Sequence, residues 1–522
     1  MRKYINQISI VVLSLGLLSS STGCTDDLRQ EPITELTGAS LYKDFTNYNH
    51  LLAKLYGGIA VGGQSGGDGN GDIADIDGGF SSYTRLLFTL QEITTDEAVI
   101  GWNDGTLPEF HKMSWTAANE FNNAMYYRLY TEISFCNEFI KNTTDEKLSS
   151  NGILGANLEE AKAMRGEARF LRAQTYYHLL DLYGNVAFVD ESTFGTLPQQ
   201  ISRAELFNYV EQELLLAANE MKDPHTNAYG RADKAAAWTL LAKLYLNAPV
   251  YNGSNHNNDV VTYCTKVIQA GYSLVPNYEN LFLADNNVGN TEVILPIVYD
   301  GVNTQTNGGT TYMVHAAIGG TMDPAEFGVN GGWGGLRVTK SFVQKFESGD
   351  KRGRFYTDGQ SLEINDLGSF TDGYAFIKYK NITQNGTPGL DNNWVDADIQ
   401  MYRLSDVYLM YAEAVLRGGN GSMSEALSYV NKIRERAYGN TSGNVSSLTL
   451  DFILDERSRE LSWEMTRRTD LIRFGKFTTS TYLWPWKGNI KNGTAVPDYR
   501  NLFPIPSNEL VVNPNLKQNT GY

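Results

Sequence analysis

The stretch from Glu159 to Val189 (EEAKAMRGEARFLRAQTYYHLLDLYGNVAFV) constrains the fold more than any other. Met164, Ala168, Leu171, Thr175, Leu179 and Leu182 recur at steps of three or four, which places them on one stripe of an α-helix. Arg165, Arg169 and Arg172 follow the same step on a neighbouring flank and are expected to meet carboxylates on neighbouring helices or on a partner protein. Gly184, just past Tyr183, supplies a stop. A helix this long with one apolar stripe must pack on other helices.

The remaining chain supplies them. Helical patterns run near 47–57, 119–141, 202–221, 234–247 and 259–270. Asp233 caps the fourth of these and Pro249 closes it. A further helix over 407–417 ends at Gly418 and Gly419. Ser422 and Glu425 then read as a capping box for a helix whose inward face is Ala426, Val430, Ile433 and Ala437. Two such antiparallel helices take roughly 36 residues, close to the ~34 of a tetratricopeptide unit. Residues 451–473 add a charged helix and a shorter one. Between these blocks, 59–79 is a glycine-rich acidic loop, and 80–115 mixes aromatic, polar and turn residues. The stretch 292–299 is β-rich and opens a Gly/Thr/Asn-rich region to about 398 with little helical periodicity. The fold class is therefore mainly α: tetratricopeptide-like helical hairpins forming a scaffold (mainly 119–275 and 402–475), with an irregular, loop-rich α/β lobe (mainly 59–118 and 290–400). Together they make one body over 46–522.

The N-terminus is an address. Arg2 and Lys3 precede an apolar run from Ile8 to Leu18, too short to span a bilayer. Ser21, Thr22 and Gly23 then lead into Cys24, in the manner of a bacterial lipobox. Residues 1–23 read as a lipoprotein signal peptide, Cys24 as the acylated residue, and 24–45 as a polar tether. With 522 residues and a net charge of −16, the chain is a large acidic protein that would repel nucleic-acid phosphates.

Enzyme and metal chemistry find little support. Asp68, Asn70 and Asp72 alternate like a calcium loop, but an EF-hand register puts Ile73 where glycine is needed and Gly79 where glutamate is needed. Asp96 and Glu97 are adjacent, whereas glycoside hydrolysis needs two facing carboxyls ~5–10 Å apart. No Gly-x-Ser-x-Gly, His-Glu-x-x-His or phosphate loop occurs. Cys136 and Cys264 lie in helical surroundings without a Cys-x-x-Cys and read as buried free thiols. The expectation is no catalytic residue, no metal and no cofactor.

Several segments resemble the SusD/RagB family of outer-membrane lipoproteins. They are the 160–189 helix ending in Leu182-Tyr183-Gly184-Asn185-Val186, the 402–414 run YRLSDVYLMYAEA, and Glu456-Arg457-Ser458-Arg459-Glu460-Leu461. Phe503-Pro504-Ile505-Pro506 and the 513–519 ending NPNLKQN continue the pattern. Gly230-Arg231-Ala232-Asp233-Lys234 and Tyr482-Leu483-Trp484-Pro485-Trp486 resemble the starch-binding branch in particular. The resemblance implies a lipid-anchored, cell-surface protein of the outer membrane. It also implies tetratricopeptide-like helices docked on a SusC-like TonB-dependent transporter, and a non-catalytic glycan site on the other lobe. The alternatives are a different glycan, such as levan or dextran, or a RagB-like lid that takes peptide.

A glycan presents C–H faces that pack on aromatic rings and hydroxyls that need convergent polar partners. Trp102, followed by Asn103 and Asp104, offers that locally, and Trp333 sits alone among Gly331, Gly332, Gly334 and Gly335. The resemblance places two stacking tryptophans on Trp102 and Trp333 and the hydroxyl-binding Arg and Asp on Arg85 and Asp77. Asn103 or Asp104 stands for a binding-site Asn. The third aromatic of the family's platform falls on Asn307, with Tyr312 nearby. Trp484 and Trp486 are expected to be packing residues.

Overall fold

The computed structural model describes residues 38–193 and 196–522. The signal peptide, Cys24 and the tether up to residue 37 lie outside the described residues. The principal elements are α1 (Tyr48–Ala60), α2 (Tyr83–Gln91), β1 (Val99–Ile100), α3 (Glu120–Asn142), α4 (Ala156–Leu182), α5 (Arg203–Glu220), α6 (Lys234–Leu246) and α7 (Asn257–Gln269). They continue as β2 (Val293–Ile297), α8 (Gly309–Ala316), β3 (Leu336–Arg337), β4 (Ile399–Arg403), α9 (Leu404–Leu416), α10 (Met423–Tyr438), α11 (Leu450–Leu461) and α12 (Arg467–Arg473).

Helix α4 packs on α3 and α5, α5 on α6, α6 on α7, α7 on α9, and α9 on α10 and α11. Each helix thus buries an apolar face against its neighbour, as stacked helical hairpins do. The stripe of α4 is buried as its spacing requires, but so are Phe170, Tyr176 and Tyr177 on its other faces. The polar flank becomes interior because its charges are matched. Arg165 pairs with Glu220 at 2.5 Å and Asp145 at 2.8 Å. Arg172 pairs with Glu213 at 2.6 Å and also with Glu191. Gly184 takes a φ of 74° and returns its N–H to Leu179 O at 3.1 Å, closing the helix.

Other local expectations resolve in detail. Asp233 accepts the Ala235 N–H at 2.8 Å as a helix cap. Ser422 caps α10 through the Glu425 N–H at 3.3 Å. The Glu425 carboxylate, however, accepts the Tyr411 hydroxyl at 2.8 Å instead of closing a capping box. Cys136 and Cys264 are buried free thiols. Trp484 is buried, and the Trp486 indole N–H donates to Ile364 O at 3.0 Å.

The lobe before and between the helices has only short antiparallel pairs, β2 with β4 and β1 with β3 among them. Two helices in it escape the periodicity argument, α2 and α8. Both are short, and both are buried on most sides, so neither has the polar face that makes a helix legible. They carry Arg85 and Tyr312.

At the junction of scaffold and lobe the motif residues converge on a buried ion network. Arg403 reaches Glu460 at 2.6 Å, Glu464 at 2.7 Å and Glu292 at 2.9 Å. Arg352 reaches Asp350 at 2.6 Å and Glu456 at 2.7 Å. Both guanidiniums are almost wholly out of water, and each is compensated by several carboxylates, so removing an arginine would leave buried like charges facing one another.

Candidate functional site: an aromatic patch on the loop-rich lobe

A two-residue ladder builds the site. Val99 pairs with Arg337 and Ile100 with Leu336, so the chain leaving β1 and the chain entering β3 lie side by side. Trp102 follows β1 and Trp333 precedes β3. The Trp102 indole N–H donates to Trp333 O at 3.0 Å, and the ring centroids stand 6.2 Å apart at 46°.

The glycines around Trp333 have a mechanical reason. A Cβ at Gly335 would lie 2.5 Å from Trp102 Cε2, so only glycine lets that ring lie against the backbone. The loop is fastened to the end of α8 by Trp333 N to His315 O (2.7 Å), Gly334 N to Ile318 O (2.8 Å) and Gly335 N to Ala316 O (2.8 Å). Under Trp333 the His315 ring stacks at 4.8 Å and 18°. His315 Nδ1 stands 2.6 Å from Gly331 O and Nε2 3.1 Å from Asn393 O, while burial lowers the imidazole pKa. Nothing in the sequence flagged His315. Its position three residues after Tyr312 on one helix was the available signal.

Arg85 on α2 lies over the Tyr312 ring at 4.6 Å and near Trp102 at 5.8 Å. Its Nη1 donates to Gly79 O at 2.7 Å and Asn307 O at 3.1 Å. Burial pulls its pKa below the ordinary guanidinium value, opposed by Tyr312, Asp68, Asp104 and Asp77. Asp77, Asn103 and Asp104 are exposed, and Asp77 Oδ1 accepts the Gly79 N–H at 2.8 Å. Trp102 and Trp333 are each half-buried, resting on the core with part of the ring open.

Two residues differ from expectation. Tyr312 is 1% exposed, packed edge-on against Trp102 at 6.0 Å and Phe88 at 5.7 Å. It backs the patch and offers no face for stacking. Asn307 is a fastener: its Nδ2 donates to Gly67 O at 3.1 Å and its N–H to Asp68 at 2.6 Å. Asp68 itself is buried; its other oxygen accepts the Gly62 N–H at 2.9 Å. The acidic loop thus uses its first carboxylate to tie loop to loop, and no group of three or more metal-ligating side chains occurs among the described residues. The Asp96–Glu97 pair is buried in the scaffold. Asp96 meets Arg467 at 2.7 Å and the Tyr482 hydroxyl at 2.6 Å, and Glu97 accepts the Ser458 hydroxyl at 2.7 Å.

Stacked helical hairpins thus carry a loop-rich lobe with a half-open aromatic patch. The SusD family description matches residues 357–522, and a second, "Starch-binding associating with outer membrane", matches residues 87–246. Over its whole length the chain is 34% identical to the starch-binding protein SusD of Bacteroides thetaiotaomicron, covering 99% of that protein. It is 27% identical over 72% of its length to a SusD-like protein of Bacteroides ovatus, covering 69% of it. The chain belongs to the SusD family. In fold it matches a SusD homolog from Bacteroides thetaiotaomicron with a TM-score of 0.71, at 21% identity over 94% of this chain and 99% of that one. It matches surface glycan-binding protein A from Bacteroides fluxus with a TM-score of 0.70, at 21% identity over 91% of this chain and 99% of that one.

Proposed function

We propose that this protein captures oligosaccharide, an α-glucan such as starch, at the patch formed by Trp102 and Trp333, and passes it to a SusC-like TonB-dependent transporter without breaking a bond. The observation that carries the reading is the pair of half-open indoles locked together by the Trp102–Trp333 hydrogen bond. The rings offer faces for sugar C–H groups. Arg85, with Asp77 and Asp104 near enough to act on its charge, and the exposed Asn103 next to Trp102 in the chain offer charged and polar partners for hydroxyls. A patch fastened by this many backbone bonds is preorganised, so it favours a glycan whose bound shape already exists in solution.

Further support comes from the whole-length likeness to a starch-binding protein and from the match to a description that names the outer membrane. Acylation at Cys24 would hold the protein there. No helix among the described residues is long and apolar enough to cross a membrane, which fits a lipid anchor as the attachment. The Asp96 and Glu97 side chains are buried, Asp96 against Arg467 and Glu97 against Ser458, so neither carboxyl faces an open ligand, which supports binding over hydrolysis.

Calorimetry and affinity electrophoresis with starch, pullulan, dextran and levan test the reading. Starch and pullulan are expected to bind, and the double substitution Trp102→Ala, Trp333→Ala to abolish it. Binding left intact in that variant would place the site elsewhere. Levan or dextran binding alone would move the specificity within the family. Peptide binding without any glycan would favour a RagB-like lid.

A further inference from the structure

Trp394 is a half-buried tryptophan that takes no part in the apolar core. Its indole has no aromatic neighbour among the described residues, and part of the residue is open to solvent. The loop carrying it is held firmly. Asp391 Oδ1 accepts the N–H groups of Asn393 (2.7 Å) and Trp394 (3.1 Å), and Asn392 O accepts the Asn330 N–H at 2.8 Å. The loop therefore holds a partly open indole in a fixed place.

Its position joins it to the patch from both sides. On one side, the ring edge lies over Gly67, where a Cβ would stand 3.3 Å from Trp394 Cη2. The Gly67 carbonyl accepts the Asn307 side chain at 3.1 Å, and Asn307 O accepts Arg85, which lies beside Trp102. On the other side, the preceding residue Asn393 faces His315 Nε2 at 3.1 Å, and His315 stacks beneath Trp333. These contacts close a circuit. Trp394 is linked to Trp102 through Gly67, Asn307 and Arg85, and to Trp333 through Asn393 and His315.

We propose that Trp394 is a third aromatic contact for the same oligosaccharide, and that it discriminates by chain length. This rests on the glycan reading of the Trp102–Trp333 patch. Asn307 is committed to holding Gly67 and provides no ring, so an extended ligand that passes from the indole pair across Asn307 and Gly67 reaches the Trp394 indole. A short oligosaccharide satisfies the pair alone; a longer one reaches both ends. Gly67, with a φ of 70° and no side chain, is the seat that allows the ring to lie over the loop.

The test is calorimetry on the full chain with maltotriose and maltoheptaose, comparing Trp394→Ala, Trp394→Phe and Trp102→Ala. Trp394→Ala is expected to raise the Kd for maltoheptaose roughly tenfold and to leave maltotriose within about twofold. Trp394→Phe retains a ring face and is expected to recover most of the loss, which also excludes misfolding as the cause. An unchanged Kd for maltoheptaose in Trp394→Ala, beside loss in Trp102→Ala, would overturn the third contact and leave the glycan site standing. An equal loss for both sugars would overturn the length discrimination. A native chain that binds neither sugar would overturn the α-glucan reading and this inference with it.

Discussion

One carboxylate oxygen of Asp68 receives the Asn307 N–H at 2.6 Å and the Thr306 hydroxyl at 2.9 Å, although 239 residues separate Asp68 from Asn307. That bond sets where Asn307 O stands, and Arg85 donates to Asn307 O. The buried acid thus acts on the patch through another residue.

Asp68→Ala is therefore expected to weaken maltoheptaose binding by about tenfold while costing only about 1–3 kcal/mol of stability, because three local donors lose one acceptor group. Calorimetry beside urea unfolding separates the two effects. Native affinity in the variant would remove Asp68 from any positioning role.

Tyr312 divides into two tests. Tyr312→Phe keeps the ring behind Trp102 and Arg85, and both stability and affinity should stay close to native. Tyr312→Ala opens a cavity under both and should cost about 3 kcal/mol, with affinity falling in parallel. A large affinity loss in Tyr312→Phe with unchanged stability would instead make the hydroxyl a ligand contact.

The network around Arg403 predicts a stability effect with no binding signature of its own. Arg403→Ala leaves Glu292, Glu460 and Glu464 short of their shared cation in a dry setting, and a loss of about 3–5 kcal/mol is expected. Measured under conditions where the variant is folded, its glycan affinity should match the native protein. A cost under about 1 kcal/mol would mean that Arg436, Arg352 and Lys378 compensate fully.

Glu132 on α3 supplies the pH prediction. It is fully buried, its Oε2 has no hydrogen-bond partner among the described residues, and burial pushes it up to about 8 from an ordinary value of 4.5. The folded state then holds a proton that the unfolded chain releases near 4.5. Stability from this group is complete below that value and is lost as pH rises toward 8. Glu132→Gln should match the native protein at pH ~4.5 and exceed it above pH ~8 by on the order of 5 kcal/mol. Parallel native and variant stabilities across that range would show the carboxyl to be solvated.

The helical scaffold was legible because each long helix carries its own record. Leu171, Leu179 and Leu182 mark a face, Asp233 and Ser422 mark starts, and Gly184 and Gly418 mark ends. The arginine flank of α4 announced carboxylate partners, and Glu213 and Glu220 supply them. Trp333 stood out as a ring among glycines with nothing nearby to bury it, and Trp102 as a ring followed by Asn103 and Asp104. By contrast, α2 and α8 were invisible, since a short helix buried nearly all round shows no amphipathic period. Trp394 follows Asp391, Asn392 and Asn393, a pattern much like Trp102 beside Asn103 and Asp104, yet nothing local distinguishes a ring that faces a shared site from one that does not.

The sequence by itself determined the long amphipathic helices, that they must stack as hairpins, and that Trp102 and Trp333 are candidates for an open aromatic site. The tertiary structure alone decided that Trp102 and Trp333 touch, that Tyr312 lies behind them, and that Asn307 holds a loop. The physical reason is range. Helix signals arise within three or four residues of each other, whereas the patch is closed by a two-residue ladder and by single hydrogen bonds between loops more than 200 residues apart.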